Sequence, residues 1–307
     1  MPQPLRPLLG LLELGLLVLG LPGLGLSVLG LLSAAQAAPA TPTPHIFVLV
    51  LENHSYGQVI GNPNLPTLNA LAQRGALARQ YTGVAHPSLP NYVALIAGST
   101  MNTRGDNPAQ TFSGPTLASQ LEDKGLSWKG YMQGLPKPGS NAPYAGLYGK
   151  KHNPLMLNAD IARDPKRAAN VVPFEQLGAD LAAGHAPNFA LLVPDVCHDL
   201  HGDVRCRGRA NVERMGDAFL KTWAEKIMAS SVWKPGAALI VTFDEGEDAQ
   251  GGGGRVATLI LTPQGKPGVV SDQPYNHYSL LRTLEDRLGL PPLRNAAQAK
   301  PMNDLWP

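Results

Sequence analysis

Cysteine, aromatic side chains and an excess of charge of either sign are all scarce in this sequence. The chain of 307 residues has two cysteines, 6% aromatic residues and 16% charged residues. Two cysteines are too few for a disulfide-rich mini-protein. Because 25 basic residues are balanced by 23 acidic ones, no basic surface is expected that would hold a nucleic-acid polymer through its phosphates. The 44% hydrophobic content excludes a disordered chain and predicts one soluble domain with a core of ordinary size.

A single long apolar run stands at the N-terminus, over residues 7–36. It is rich in leucine, its only charged residue is Glu13, Arg6 precedes it, and Ala35-Gln36-Ala37 ends it. A basic start, an apolar centre and a small-residue cleavage site are typical of an export signal, which we predict for residues 1–37. The protein is therefore expected to be secreted or to lie in the periplasm or cell envelope.

The same run is long enough to span a bilayer, so an uncleaved membrane anchor is the alternative interpretation. Its repeated glycines and Pro22 make a poor permanent helix, and we expect no stable transmembrane anchor. Residues 38–44 contain three prolines and are predicted to form an extended tether. A single domain is expected over residues 45–307.

The two cysteines, Cys197 and Cys206, lie close together and bracket a polar segment. An oxidising compartment would allow such a pair to form a disulfide, and two free thiols are the alternative. No Cys-x-x-Cys motif or zinc-type spacing is present, so thiol chemistry is not expected to be the function.

Strand-like and helix-like segments alternate along the rest of the chain. Apolar runs predict strands over residues 45–51, 127–132, 188–193, 237–243 and 256–262. Helical spacing predicts helices over residues 67–80, 92–98, 116–124, 212–227 and 278–288. This alternation predicts an α/β fold with a mainly parallel central sheet flanked by helices.

Acidic or amide side chains directly follow two of the predicted strands. Glu52 and Asn53 end the first, and Asp244 and Glu245 end another. Ligands of parallel sheets bind beyond the carboxyl ends of the strands, and carboxylate and amide oxygens suit hard divalent cations. The four side chains are candidate ligands of one divalent ion, for which Ca²⁺, Mg²⁺, Mn²⁺ and Zn²⁺ all stay open. Taken singly, each pair is equally typical of a turn or a helix cap.

Ser88 stands immediately before a predicted helix, in the segment His86-Pro87-Ser88-Leu89-Pro90-Asn91-Tyr92. A serine at this place is most simply an N-cap. The functional interpretation is that helix-start amides would hold a phosphoryl group attached to Ser88, with Asn91 donating to the same group.

Polar loops carry the remaining candidates for acid–base chemistry, which are His152, His198, Asp199 and His201. His201 is the candidate proton donor because it lies two residues from Asp199 and imidazole titrates near the operating pH range. Solvated surface histidines without a function are the alternative. His277, just before the last helix, is either a ligand or only a first-turn residue.

Two loops are singled out by their composition. Residues 135–158, rich in proline, glycine, asparagine and tyrosine, are expected to form an ordered loop over the site. Residues 250–254, with four consecutive glycines, suggest a flexible hairpin or lid joint.

These motifs, taken in order, resemble the bacterial phosphoesterase family. The resemblance runs from about residue 45 to the C-terminus and rests on Glu52-Asn53-His54-Ser55-Tyr56, the Ser88 segment, Lys151-His152-Asn153-Pro154, Pro194-Asp195 with His198-Asp199-Leu200-His201, Thr242-Phe243-Asp244-Glu245, and His277-Tyr278. That family contains secreted acid phosphatases and phosphatidylcholine-type phospholipases C and belongs to the alkaline-phosphatase-like superfamily.

The resemblance implies a site built around one metal ion. Glu52, Asn53, Asp244 and Glu245 would hold the ion, and Ser88 would be both its ligand and the phosphorylated nucleophile. Two-metal relatives have an Asp-His pair after the later strand, where this chain has Asp244-Glu245, so a second metal is not expected.

The remaining roles follow from the same resemblance and from acid–base chemistry. His201, oriented by Asp199, would protonate the leaving alcohol, and His152 would hold the non-bridging oxygens. Asn91, His198 and Lys151 are the expected substrate-binding residues. If a histidine must be cationic, an acidic pH optimum follows, because imidazolium prevails below about pH 6.5.

The function predicted from these residues is that of a secreted acid phosphatase acting on a small phosphomonoester, for example a lipid or a nucleotide. Lys150, Lys151 and His152 supply the cationic partners that a doubly charged monoester needs. The alternatives are a phosphodiesterase of the phospholipase C type and an exported phosphate- or lipid-binding protein without catalysis.

Overall fold

A computed structural model of the chain describes residues 44–306. The predicted export signal over residues 1–37 and the predicted tether up to residue 43 lie outside the described residues and stay predictions. Within residues 44–306, none of the helices combines the length and the apolar character needed to cross a bilayer.

Strands of the described part form one large sheet and one small hairpin. In chain order they are β1 Ile46–Leu51, β2 Ala76–Thr82, β3 Trp128–Met132, β4 Tyr144–Ala145, β5 Tyr148–Gly149, β6 Val171–Pro173, β7 Phe189–Val193, β8 Ala238–Phe243, β9 Arg255–Leu261 and β10 Val269–Asn276. All but β4 and β5 belong to the large sheet, whose order is β10-β2-β9-β8-β1-β7-β3-β6.

Helices connect most of these strands. The α-helices are α1 Tyr56–Val59, α2 Pro66–Arg74, α3 Ser88–Ala97, α4 Leu117–Asp123, α5 Pro154–Leu157, α6 Ala159–Ala162, α7 Pro165–Ala168, α8 Gln176–Ala182, α9 Arg209–Ala229 and α10 His277–Leu288. Short 3₁₀ helices cover Lys150–His152, Val204–Cys206, Gln250–Gly252 and Arg294–Gln298.

The large sheet is parallel except at β9, which runs antiparallel to both of its neighbours, β2 and β8. Its central strands β1, β7 and β8 are buried along their whole length, as expected for strands covered by helices on both faces. The predicted mainly parallel α/β fold is confirmed, and each of the five predicted strands is present within one residue of its expected limits.

One helix prediction was wrong at its C-terminal half. Residues 67–80 were expected to form a single helix, but α2 ends at Arg74 and residues from Ala76 onward form β2. Gly75 separates the two elements, and a Cβ there would lie 2.7 Å from the carbonyl oxygen of Ile260 on β9. Pairing of β2 with β9 and β10 therefore outweighs the local helical spacing of this segment.

Parallel register brings the carboxyl ends of β1 and β8 to the same level. Leu51 pairs with Phe243, and the amide of Asp244 donates to the carbonyl oxygen of Leu51 over 2.9 Å. Glu52 and Asp244, which follow these strands, consequently start from adjacent positions at one edge of the sheet. The predicted convergence of the acidic strand ends depends on this register.

Candidate active site

The acidic residues that follow β1 and β8 are buried side by side. Glu52 and Asp244 have no solvent exposure, and Glu245 is 5% exposed. Asn53 adopts the left-handed backbone conformation, with a φ of 55°, and its amide donates to Asp244 Oδ1 over 3.3 Å. This turn joins the two strand ends, which are 191 residues apart in sequence.

Ser88 is the first residue of α3 and points at this acidic group. Its hydroxyl lies 2.9 Å from Glu52 Oε2 and 3.2 Å from Glu245 Oε1, and the residue is 1% exposed. Pro87, not Ser88, occupies the N-cap position, and the Ser88 side chain caps no backbone amide. The interpretation of Ser88 as a helix cap is therefore wrong, and the hydroxyl meets the carboxylates expected to surround the metal.

Asn91 holds the loop that precedes Ser88. Its Oδ1 accepts from the amides of Val84 and Ala85, and its Nδ2 donates to the carbonyl oxygens of Ala85 and Pro87. Because its acceptor and both of its donor hydrogens are engaged in this way, Asn91 does not have the free donor expected of a substrate-binding residue. Its role in this structure is to shape the turn that presents Ser88.

The glycine-rich segment over residues 250–254 supports the same loop. A Cβ at Gly253 would lie 2.6 Å from the carbonyl carbon of Gly83, and the amide of Gly83 donates to the carbonyl oxygen of Gly254 over 2.9 Å. The glycines therefore permit two backbone segments to cross in contact. The expected flexible hairpin or lid joint is instead a close-packed support beneath the Ser88 loop.

His86 is a site residue that was not singled out from the sequence. Its Nδ1 contacts Glu245 Oε2, and its Nε2 lies 2.9 Å from the carbonyl oxygen of Asp248. Burial opposes protonation, but the contacts with Asp248 and Glu245 outweigh it and raise the pKa of His86. The only sequence signal for this role was its place two residues before Ser88.

His152 lies between two buried carboxyl groups. Its Nε2 is 3.2 Å from Glu52 Oε1, its Nδ1 is 3.2 Å from Asp199 Oδ2, and its ring stacks on Tyr92 with centroids 5.2 Å apart. Burial, followed by the nearby charge of Lys151, lowers the pKa of His152 well below its usual value. A cationic His152 is thus disfavoured, and its ring nitrogens face two carboxyl groups, whereas His152 was expected to hold the non-bridging oxygens of the substrate.

Asp199 contacts His201 through the backbone and not through the imidazole. Asp199 Oδ1 accepts from the amide of His201 over 2.8 Å, whereas His201 Nδ1 lies 2.9 Å from the carbonyl oxygen of Gly202. The expected orientation of the His201 ring by Asp199 is therefore not made. Two residues of separation place the Asp199 carboxylate within reach of the main chain, as in an Asx turn.

Lys151 faces the remaining ring nitrogen of His201. Lys151 Nζ lies 3.1 Å from His201 Nε2 and 2.7 Å from Asp106 Oδ2, while Asp106 Oδ1 accepts from the amide of Leu89 over 3.0 Å. Burial opposes the charge of Lys151, but the carboxylates of Glu52 and Asp106 outweigh it and raise its pKa. Asp106 is a second residue that the sequence did not reveal, since it lies 45 residues from Lys151 in a loop without a motif.

His198 is directed away from this group. Its Nδ1 lies 3.0 Å from Asp195 Oδ1, and its ring stacks on Phe219 of α9 with centroids 5.2 Å apart. It lines a separate cavity together with Phe174 and Trp223. His198 was expected to bind substrate, but the structure does not bring it to Ser88, because its ring packs against α9.

His277 holds the backbone of a predicted metal ligand. It is fully buried, with Nδ1 3.0 Å from the hydroxyl of Tyr81 and Nε2 2.5 Å from the carbonyl oxygen of Asp244. Burial lowers its pKa to about 4, so the ring is neutral. Both ring nitrogens are occupied, which leaves His277 as a support for Asp244 rather than a ligand.

A disulfide joins Cys197 to Cys206, with the Cα atoms 5.5 Å apart. The predicted disulfide is thus present, and the segment that it closes carries both Asp199 and His201. The carbonyl oxygen of Asp199 also accepts from the amide of Glu52 over 2.7 Å. The disulfide therefore closes a loop that is attached directly to the acidic group.

The electrostatics of the acidic group favour the binding of a cation. Burial is the largest cause that raises the pKa values of Glu52, Asp244, Glu245 and Asp199, and for Asp199 the value is about 7. Asp244 Oδ2 is buried without a hydrogen-bond partner, and Glu52 Oε1 and Asp199 Oδ2 have only the ring nitrogens of His152 at 3.2 Å, in a geometry that makes no hydrogen bond. Buried carboxylates of this kind are normally paired with cations or coordinate metals.

The arrangement of the donor atoms fits a metal ion. The hydroxyl of Ser88 and the carboxylates of Glu52 and Glu245 approach one another, with Asp244 linked to Glu52 through the adjoining strand ends. Glu52 also groups with His152 and His201, each of which offers one ligand atom within 4.8 Å of the others. Oxygen donors predominate in the first set and imidazole nitrogens in the second, and Glu52 is common to both.

Comparison with known proteins assigns the chain to a family. A model described as the phosphoesterase family matches residues 62–291. The chain is 31% identical over 272 residues to a Mycobacterium tuberculosis protein named phosphatidylinositol-3-phosphatase, covering 88% of this chain and 85% of that relative. It is 28% identical over 283 residues to an Aspergillus fumigatus acid phosphatase, covering 85% of this chain but 60% of the relative. The chain thus spans about three fifths of the length of this fungal protein.

The fold agrees with this assignment. A solved structure from Vibrio parahaemolyticus, described as a protein in the alkaline phosphatase superfamily, superimposes with a TM-score of 0.59. The superposition covers 86% of this chain and 72% of that one at 17% sequence identity, which establishes a shared fold. The predicted alkaline-phosphatase-like architecture is confirmed. The chain belongs to the phosphoesterase family and is a phosphoric ester hydrolase.

Proposed function

We propose that the protein is an exported, metal-dependent acid phosphatase that hydrolyses phosphomonoesters through a phosphoserine at Ser88. The observation that carries this proposal is the contact of the Ser88 hydroxyl with both Glu52 and Glu245. A buried hydroxyl at a helix start, in contact with two buried carboxylates of which Glu52 keeps one oxygen without a hydrogen bond, is the arrangement expected of a metal-activated nucleophile.

Glu52, Asn53, Ser88, Asp244 and Glu245 would hold one divalent ion. Such an ion supplies Lewis-acid stabilisation of the phosphoryl oxygens and lowers the pKa of a bound hydroxyl. The buried oxygens of Glu52 and Asp244 that have no hydrogen-bond partner support this assignment. Glu52, His152 and His201 form a second group that could hold a metal ion, and Glu52 belongs to both groups.

Hydrolysis proceeds in two displacements at phosphorus, for which side chains of the protein position Ser88. Ser88 passes its proton to Glu52 Oε2, to which its hydroxyl donates, and Oγ attacks phosphorus while the bond to the leaving oxygen breaks. Water later attacks the phosphoserine, a proton returns to Ser88 Oγ as its bond to phosphorus breaks, and phosphate is released. Asn91 and the backbone crossing at Gly253 keep Ser88 directed at the acidic group. His86 holds Glu245 through a ring nitrogen, which keeps that carboxylate directed at Ser88.

The leaving oxygen receives its proton from the pair formed by Lys151 and His201. In this structure His201 Nε2 faces the ammonium group of Lys151 and therefore acts as an acceptor. It can donate a proton only after taking one up, and a cationic imidazole would repel Lys151 and separate the pair. The acidic pH optimum expected from the sequence stays a prediction, which the assays at pH 5 and pH 8 test.

Monoesters are favoured over diesters as substrates. Lys151 supplies a charged amine beside the acidic group, and a monoester dianion needs such a cation more than a diester does. Relatives named acid phosphatase and phosphatidylinositol-3-phosphatase support the same choice. The alternative, a phosphodiesterase of the phospholipase C type, would turn over a bis-aryl phosphate or phosphatidylcholine faster than an aryl monoester. A binding protein without catalysis would show no turnover at all.

The test combines turnover with trapping of the intermediate. Purified enzyme is assayed with an aryl phosphate at pH 5 and pH 8, with chelator and after addition of each candidate metal. Ser88→Ala is expected to lower turnover by about 10³-fold or more, and acid quenching of the unaltered enzyme should trap phosphoserine. Ser113→Ala, at an exposed serine, is the matched control. More than a few per cent of activity in Ser88→Ala would refute the nucleophile assignment.

A further inference from the structure

Tyr92 brings a buried hydroxyl close to the acidic group. It lies on α3 four residues after Ser88, so the two side chains leave the same face of this helix. Tyr92 has no solvent exposure, and its ring stacks on the ring of His152 with an interplanar angle of 15°. The stacking fixes the plane of the phenol ring and therefore the position of its hydroxyl.

The Tyr92 hydroxyl is a hydrogen-bond donor without an acceptor. It is buried and makes no hydrogen bond, which costs free energy. Burial, followed by the negative charges of Glu52, Asp244 and Asp199, raises the pKa of Tyr92 well above its usual value, so the hydroxyl keeps its proton. Because these neighbours are carboxylates, which accept hydrogen bonds, an acceptor for the hydroxyl is close by.

Glu52 is the carboxylate that lacks a donor. Its Oε2 lies 2.9 Å from the Ser88 hydroxyl, but its Oε1 makes no hydrogen bond. His152 faces Glu52 Oε1 with one ring nitrogen and Asp199 Oδ2 with the other, each over 3.2 Å. A neutral imidazole has a single N–H, so it can satisfy one of these two oxygens and not both. Burial raises the pKa of Glu52, and the Tyr92 hydroxyl is one of the groups that oppose this rise, as a donor to Glu52 would.

We propose that Tyr92 is a positioning residue of the metal site, whose hydroxyl donates to Glu52 Oε1 when the ion is bound and keeps Glu52 Oε2 directed at Ser88. The proposal rests on the assignment of Glu52 as a metal ligand in the proposed function. Partners of this kind orient a metal ligand, and their removal weakens metal binding or activity by about 10–100-fold. Tyr92 acts through Glu52 and not by contact with the ion or the reacting atoms.

The test measures metal binding in the absence of substrate. Chelator-treated protein is dialysed against increasing concentrations of Ca²⁺, Mg²⁺, Mn²⁺ or Zn²⁺, and the bound ion is measured by elemental analysis. Tyr92→Phe keeps the ring and removes the hydroxyl, and it is expected to raise the dissociation constant of the ion by about tenfold or more. In denaturant titration the metal-free variant should be at least as stable as the unaltered protein, because the hydroxyl that it loses has no partner.

Tyr131→Phe is the matched control, because it also removes the hydroxyl of a buried tyrosine. Tyr131 lies on β3, and its hydroxyl donates to Asp180 Oδ2 over 2.6 Å. This variant loses a hydrogen bond to a charged group, so it should be less stable than the unaltered protein. Its dissociation constant for the ion should stay unchanged, since Asp180 does not belong to the acidic group.

The two measurements separate a positioning role from a structural one. The inference is overturned if Tyr92→Phe binds the ion as tightly as the unaltered protein. It is also overturned if metal-free Tyr92→Phe loses as much stability as Tyr131→Phe, or if Tyr131→Phe loses as much metal affinity as Tyr92→Phe. Metal binding without turnover of an aryl phosphate would contradict the proposed function alone, whereas failure of the unaltered protein to bind any of the four ions would overturn both.

Discussion

Lys151 Nζ lies 3.1 Å from His201 Nε2, so the residue predicted to protonate the leaving group meets a lysine at its reactive nitrogen. Lys151 Nζ also donates to Asp106 Oδ2 over 2.7 Å, and Asp106 Oδ1 accepts from the amide of Leu89, which follows Ser88. The contacts Leu89–Asp106–Lys151–His201 therefore connect the start of α3, which carries the proposed nucleophile Ser88, to the proposed proton donor His201. Asp106 is a positioning residue in this arrangement.

Replacing Asp106 with Asn should weaken phosphate binding. Loss of the carboxylate releases Lys151 from its position, and we expect KM for an aryl phosphate to rise by about tenfold with a smaller change in kcat. Inhibition by inorganic phosphate should weaken by a similar factor, which a purely structural defect would not produce. Asp272→Asn, which breaks the exposed pair with Arg79, serves as the control. An unchanged inhibition constant for phosphate would contradict the positioning role.

Opening the disulfide should lower both stability and turnover. The bond closes a short loop, with a sequence separation of 9, and such a crosslink is worth about 2–3 kcal/mol in chain entropy. The loop carries Asp199 and His201, so its release is expected to reduce kcat as well as the free energy of unfolding. Cys197→Ser with Cys206→Ser, compared by denaturant titration and by aryl phosphate assay, measures both effects. Full activity in this double variant would show that the loop is positioned without the crosslink.

Metal removal should abolish turnover and reduce stability. Asp244 and Glu52 have buried oxygens without partners, and a bound cation would relieve their mutual repulsion. We therefore expect chelation to lower the thermal midpoint along with the rate, and the matching metal to restore both. Asp244→Asn should reduce the metal content measured by elemental analysis. Unchanged metal stoichiometry in this variant would remove Asp244 from the ligand set.

Glu285 should make the protein more stable in acid than at neutral pH. Its carboxyl group is buried on α10, Oε1 accepts from the amide of Leu293 over 2.8 Å, and Oε2 has no partner. Burial raises its pKa to about 8. The folded-state pKa lies above the unfolded-state value of about 4.3. The contribution of Glu285 to the free energy of unfolding is therefore complete below about pH 4.3 and is lost as the pH rises toward 8.

The slope of the free energy of unfolding against pH measures the contribution of Glu285 directly. One such group changes the free energy of unfolding by at most about 1.4 kcal/mol per pH unit. Denaturant titrations between pH 5 and pH 8 should show stability falling across this range, and Glu285→Gln should flatten the fall. Glu225→Gln, at an exposed position of α9, should leave it unchanged. If Glu285→Gln does not alter the dependence of stability on pH, the fall in stability is not due to Glu285.

The sequence predicted the elements whose signals are local. Continuous apolar runs identify β1, β7 and β8, because strands covered on both faces need apolar residues at every position. The acidic pairs after β1 and β8 could be placed together from the rule that parallel strands end at one edge. Ser88 was recognised as a candidate nucleophile from its motif, although its helix-cap alternative could be dismissed only from the structure.

Residues whose roles depend on long-range contacts were missed or misassigned. Asn91 was expected to bind substrate but hydrogen-bonds its own loop, and His198 stacks on Phe219 of α9. Asp106 has no motif around it, and only folding places it beside Lys151. Segment 76–80 has helical spacing, yet pairing with two strands distant in sequence makes it part of β2.

By itself the sequence determined the α/β class, the acidic strand ends and the set of nucleophile and acid–base candidates, because each follows from residue types and their local spacing. The tertiary structure alone decided which candidates share one site, which groups face the two ring nitrogens of His201 and which carboxylate oxygens lack a hydrogen bond. Those properties depend on the directions in which side chains leave the backbone and on burial by distant segments. A spacing of two or three residues in a loop leaves both undetermined.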